Sequence, residues 1–201
     1  MALIFDTETS GLPITPYYGK FHDYRNLKYY NTSRIVQVSY IITDSTLNKL
    51  EEADVIIKAD NFKIKNSSFH GITDLISERD GTLFLEFAKM FDHALDFVEV
   101  IIAHNISFDI NVLCAELFRY NIFDTIAKIE SKKHICTMKE TKFLVNSTFK
   151  NSDDIKDPNL KELYFFATGE EMENHHNSMY DTSNLHKAIK ILYLTDKFKL
   201  S

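Results

Sequence analysis

The sequence predicts a single α/β domain in which a mixed sheet is flanked by helices. Three observations predict it. Strand-like runs come first and close together, at Leu3–Phe5, Ile35–Ile42 and Ala53–Ala59. Their short connections suit an antiparallel opening meander. Strand and helix patterns then alternate, which is how a layered domain with parallel strands is written. Finally, 201 residues at 44% hydrophobic and 26% charged are enough chain, of ordinary composition, to bury one large core. No repeat or low-complexity segment divides residues 1–201.

The first strand is three apolar residues, Leu3-Ile4-Phe5, running into Asp6-Thr7-Glu8 and stopped by Ser10-Gly11. An aromatic-rich stretch follows over about 14–33, with Lys20, Arg25, Lys28 and Arg34 interleaved among tyrosines. Such interleaving can serve a single-strand groove, but a surface loop packing its own rings down is the plainer reading. Phe84, Phe87, Ala88, Phe91, Ala94 and Leu95 recur at helical spacing, with Thr82 placed to cap them. Val98–Ala103 reads as a strand and Ser107–Tyr120 as a mostly apolar helix. Within that helix Cys114 is a core thiol. Ile135–Met138 reads as a last short strand, and about 146–158 as a polar loop. Asn159 opens a helix that Gly169 closes, and a final helix spans Met179–Leu194.

The net charge of −6 argues against broad adhesion to nucleic acid, although bound metal ions would invert the local field. Two cysteines fit a reducing compartment. No signal-peptide pattern and no membrane-length apolar run is present, so the expectation is an intracellular protein, cytoplasmic or nuclear, with no membrane partner.

Side chains alternate along a strand, so Asp6 and Glu8 point the same way. Two carboxylates about 4 Å apart repel by roughly 4 kcal/mol at an effective dielectric of 20. A divalent cation would offset that; a strand fraying into a solvated acidic turn is the plainer alternative. His104-Asn105-Ile106-Ser107-Phe108-Asp109 puts an acid in the first turn of a helix, where it also complements the helix dipole. Asp181 shares a stripe with Leu185, Ala188, Ile189 and Leu192, and an inward acid needs a partner. His176 lies five residues earlier, about 140° around a helix, so to share a site with Asp181 it must precede the helix. A surface or capping histidine is the other reading.

Asp6-x-Glu8, then Asp109, then His176-x-x-x-x-Asp181 resemble the three motifs of the DEDDh branch of DnaQ-like, proofreading-type 3′→5′ exonucleases. Phe69-His70-Gly71-Ile72-Thr73 and Leu160–Tyr164 resemble the linking pieces, and Ser178 stands where that family often has alanine. The resemblance implies an RNase H-like fold and a chelator-sensitive DNA nuclease. It implies two Mg²⁺ ions, for which Mn²⁺ substitutes, with Asp6, Glu8 and Asp181 on the first. Asp6 bridges to the second, on which Asp109 acts through water. Hard oxygen ligands select such ions over zinc. His176 takes the proton of the attacking water, and Thr9, Leu12, Asn105 and Phe108 contact or support the terminal nucleotide. The implied partners are nucleic acid with a single-stranded or frayed 3′ end and, beyond it, a polymerase or a second copy of the chain. Three alternatives stay open: an exoribonuclease of the same fold, a non-catalytic nucleic-acid-binding module, and a zinc site from His134, Cys136, His175 and His176.

Overall fold

The structure, a computed structural model, describes residues 1–17, 19–172 and 177–200. Its sheet has five strands: β1 (Ala2–Thr9), β2 (Ile35–Thr43), β3 (Lys49–Ile56), β4 (Val100–Ala103) and β5 (Lys133–Cys136). Their order is β3-β2-β1-β4-β5. The first three strands pair antiparallel, and β4 and β5 add in parallel on the other side of β1. The mixed sheet is therefore as the sequence predicts.

Alternation along β1 divides the core in two. Leu3 and Phe5 face α3 (Phe84–Asp96), α4 (Ile106–Arg119) and α5 (Phe123–Ser131). Ala2 and Ile4 face α8 (Leu160–Thr168) and α9 (Ser178–Leu194). Short helices complete the chain: α1 (Ser67–His70), α2 (Asp74–Asp80), α6 (Thr137–Glu140) and α7 (Lys142–Val145). Cys114 is fully buried between layers. The start and stop signals of α8 act as read: Asn159 accepts from the Glu162 amide, Glu162 reaches back to the Asn159 amide, and Gly169 turns out at φ 74°.

Several boundaries differ from the sequence reading. The third strand lies at Lys49–Ile56 rather than Ala53–Ala59. Lys49, Leu50, Glu51 and Glu52 are exposed on an edge strand, where backbone pairing and not side-chain burial sets the extent. Thr82 does not cap α3. Its amide donates to the Ile56 carbonyl and its carbonyl accepts from the Lys58 amide, so it prolongs the sheet edge, and Leu83 is the cap position. The strand placed at Ile135–Met138 ends at Cys136, because Thr137 begins α6. The sequence does not predict helix α5, a nine-residue helix in which only Thr125, Ile126 and Ile129 are buried.

The aromatic stretch over 14–33 is irregular apart from a 3₁₀ turn at Leu27–Tyr29. Several of its rings pack down, while Tyr17 is exposed. His22 stacks on Tyr29 at 3.6 Å between centroids, while Phe21 and Tyr24 meet Phe108 and Phe118 of α4 edge-on. The buried Tyr30 donates to the His22 carbonyl.

Just after this stretch Arg34 forms a buried, two-pronged pair with Glu116 of α4, at 2.6–3.0 Å. The side chains are 9% and 6% exposed. Removing one partner of such a pair strands the other charge. Glu116→Ala is expected to lose about 3–5 kcal/mol, measured by urea unfolding. A loss inside ordinary surface scatter, about 0.5 kcal/mol, would show the pair to be inconsequential.

Candidate active site

Strand β1 pairs with β4 over Ala2–Ile4, and β4 ends at Ala103. On its other side β1 runs on beside β2, with Asp6 opposite Ser39 and Glu8 opposite Gln37. The carboxyl half of β1 is thus held on one side and open on the other, where α4 begins. Both acids project to the α9 face, in step with Ala2 and Ile4.

Helix α9 brings the third acid. Asn177 caps it, accepting from the Met179 and Tyr180 amides. Asn177 also donates to Gln37 Oε1, and the Ser178 hydroxyl bonds that of Ser39. Gln37 and Ser39 both donate to Asp54 of β3. The first turn of α9 is therefore fixed to the strand beside Asp6 and Glu8. Serine at position 178 is used for this bond, which an alanine could not make. One carboxylate oxygen each from Asp6, Glu8 and Asp181 then lies within 4.8 Å of the others.

Asp109 arrives from the opposite layer. Its Oδ1 accepts from the Thr7 amide at 3.1 Å and the Thr7 hydroxyl at 2.8 Å. Thr7 points away from Asp6 and Glu8, so Asp109 reaches the strand end from the α4 side. It is close enough to Asp6 to raise its pKa, yet is not one of the three-oxygen group. The structure thus brings the four sequence-predicted acids to one strand end, as three clustered oxygens and one neighbour. His176 lies outside the described residues.

The electrostatics follow from burial. Asp6 is raised well above the ordinary carboxylate range, first by desolvation and then by Asp109, Asp181 and Glu8. Glu8 is raised to about 7 by burial and Asp181. Burial likewise lifts Asp109 to about 7, against the pull of the Thr7 hydrogen bonds. Acids raised in this way keep protons that the unfolded chain, with carboxyl pKa values near 4, has released. Stability of the metal-free protein is therefore lost as pH rises from about 4 to about 7. The expected result is that saturating Mg²⁺ raises Tm more at about pH 8 than at about pH 5. An equal shift at both pH values, or none, would contradict a cation site at these acids.

One cavity adjoins the cluster, and a second adjoins the first. One, of about 270 Å³, is lined by Glu8, Thr9, Leu12, Phe69, His70 and Phe108 among others. The second, of about 200 Å³, shares Leu12 and Phe108 and adds Phe21, Asn105 and Met138. All four sequence-predicted substrate contacts, Thr9, Leu12, Asn105 and Phe108, line one cavity or both. Sequence reasoning missed Thr7 as the anchor of Asp109, and Phe69, His70, Phe21 and Met138 as walls. Phe69-His70 carried a signal as a linking motif, whereas Met138 lay in a segment read as strand. His70 is structural as well: its Nδ1 accepts from the Ile72 amide and its Nε2 bonds the Lys65 carbonyl.

The zinc alternative finds no support among the described residues. His134 Nε2 bonds the Ile129 carbonyl, and the three acids are the one candidate metal group found there. His175 lies outside the described residues. Among those residues no helix is long and apolar enough to cross a membrane.

A mixed five-stranded sheet with partly buried acids gathered at the end of its central strand has the form of a DnaQ-like domain. The chain matches the RNase_T family model, described as Exonuclease, over residues 3–189. It belongs to that exonuclease family. No curated protein sequence matches it. Among solved structures it is similar to Escherichia coli exonuclease I in complex with a dA16 oligonucleotide, at 21% identity and TM-score 0.68, covering 96% of this chain and 40% of that one. It is also similar to exonuclease I from Methylocaldum szegediense, at 19% identity and TM-score 0.70, with 95% and 40% covered. Exonuclease X in complex with 5′-overhanging duplex DNA shares 18% identity at TM-score 0.60, with 98% and 93% covered. The chain spans about 40% of the exonuclease I chains. These similarities carry the fold.

Proposed function

We propose that this protein is a metal-dependent 3′→5′ exonuclease that acts on DNA in preference to RNA. It hydrolyses phosphodiester bonds from a single-stranded or frayed 3′ end and releases nucleoside 5′-monophosphates. The observation that carries this reading is the trio of oxygens on Asp6, Glu8 and Asp181 beside the cavity walled by Thr9, Leu12 and Phe108. The DNA preference rests on the similarity to structures holding DNA.

The donor set fits hard divalent ions: all oxygen, mutually repelling and partly buried. Asp6, Glu8 and Asp181, with Asp109 beside them, would hold Mg²⁺ or Mn²⁺. When bound, such ions neutralise charge on the phosphate and make water a better nucleophile. The remaining work falls to the chain. Leu12 and Phe108 hold the terminal nucleoside between the two cavities, and Thr9 and Asn105 border it from either side. Thr7 keeps Asp109 in place. A ring nitrogen of His176 accepts the proton of the attacking water, for which an ordinary pKa near 6.5 is suited.

The test is digestion of 3′- and 5′-labelled oligonucleotides, single- and double-stranded, DNA and RNA, with and without Mg²⁺. Mononucleotides should leave from the 3′ end of single-stranded DNA fastest, and a chelator should stop them. Release from the 5′ end, or binding with no hydrolysis under any divalent ion, would overturn the proposal.

A further inference from the structure

Away from the acids, a cavity of about 460 Å³ opens beside the Arg34–Glu116 pair. Arg119, the last residue of α4, lines it together with Arg34. Both Glu116 oxygens are already engaged by Arg34. Arg119 Nε stands 3.7 Å from Glu116 Oε2, too far for a hydrogen bond. Two guanidinium groups thus share one buried carboxylate, and only Arg34 is hydrogen-bonded to it. Nε and Nη2 of Arg119 are buried with no hydrogen-bond acceptor, and its Nη1 makes one long bond, 3.3 Å, to Asn31. Buried guanidinium donors without acceptors are costly to keep.

The other walls give Arg119 one acceptor, Asn31. Asp60 lines the cavity and carries a second negative charge, but it is exposed and its oxygens accept from Asn61 and the Tyr120 hydroxyl, not from either arginine. Asn31 and Asn61 add amide donors. The Arg34 guanidinium lies over the Phe62 ring, 4.4 Å from its centroid. Burial holds the Arg119 pKa below its ordinary value, with Glu116 raising it and Arg34 lowering it. The Arg34 carbonyl accepts from the Ser10 amide, so the cavity flanks the strand that carries Asp6 and Glu8. Forked guanidinium donors beside amide donors match the geometry of a phosphate oxyanion.

We infer that this cavity is a second anion site, in which Arg119 and Arg34 bind a phosphate group outside the acid cluster. That phosphate belongs to an internal position of a nucleic-acid strand or to a free phosphate or mononucleotide. The strand source rests on the proposed function; the anion site itself does not.

The experiment compares the full chain with Arg119→Gln, Arg119→Lys and Asn31→Asp. Asn31→Asp puts an acid at the rim without disturbing Glu116, and so covers the case in which Arg119→Gln fails to fold. One arm measures Tm against inorganic phosphate and against dAMP, with no metal present. The other measures oligonucleotide binding against salt in the presence of Ca²⁺. If the anion is a strand phosphate, Arg119→Gln lowers the slope of log K against log salt by about one, and Arg119→Lys restores most of it. If the source is free phosphate, inorganic phosphate or dAMP raises the parent Tm and fails to raise that of Arg119→Gln and Asn31→Asp. Either result supports the site. Variants that match the parent in both salt slope and phosphate response overturn it. A protein that hydrolyses no nucleic acid yet shows the phosphate response would defeat the proposed function and leave this site standing.

Discussion

Asp6→Asn and Asp181→Asn are expected to cut metal-dependent release of mononucleotides by at least about a thousandfold. Removing one preorganised electrostatic group at a reacting centre has costs reaching this size. Each change deletes a charged oxygen from a group of three that lie within 4.8 Å. The same substitution should act in the opposite direction on stability. The carboxyl of Asp6 is buried beside three other acids, and each raises the cost of its charge. In chelator, Asp6→Asn should therefore melt above the parent near pH 8, and it should lose most of the Tm rise given by Mg²⁺. A dead enzyme that is more stable cannot be explained by misfolding. Full activity in both variants, or a destabilised Asp6→Asn protein, would refute the assignment.

His176→Ala is expected to lower kcat by about 10²–10⁴, the range for a general base, while DNA binding and the Mg²⁺-dependent Tm shift persist. The expectation draws on position in the chain. In sequence His176 directly precedes Asn177, the cap of α9, which is fixed to Gln37, the residue opposite Glu8. The pH profile separates this role from a merely structural one. The parent rate should fall on the acid side with an apparent pKa near 6.5, and that limb should disappear in the variant. Collapsed binding with normal turnover would assign His176 to substrate contact instead.

Much of this site was legible because its parts are local. The Asp6-x-Glu8 spacing reads directly as two acids on one face, and the Asp181 stripe reads as an inward acid on a helix. The Asn159–Glu162 box and Gly169 mark their helix with side chains that bond their own backbone. What was hidden depends on residues distant in the chain. Thr7 holds Asp109 across 102 positions and Arg34 holds Glu116 across 82. Nothing in either local sequence announces the partner. Thr82 misled because a threonine before an apolar helix looks like a cap; the backbone of the Ile56–Lys58 edge competed for the same residue and won. Helix α5 was missed because a short amphipathic helix with three buried residues has little periodicity to read.

The acids of the site come from separate strata of the molecule. Asp6 and Glu8 belong to the sheet, Asp181 to the helices below it and Asp109 to those above. Assembly of the acid cluster is therefore a property of docking and not of any helix or strand by itself. Under the proposed function, a chain with its secondary structure formed but its strata unseated is expected to be inactive. On heating, nuclease activity is expected to be lost before helix content falls.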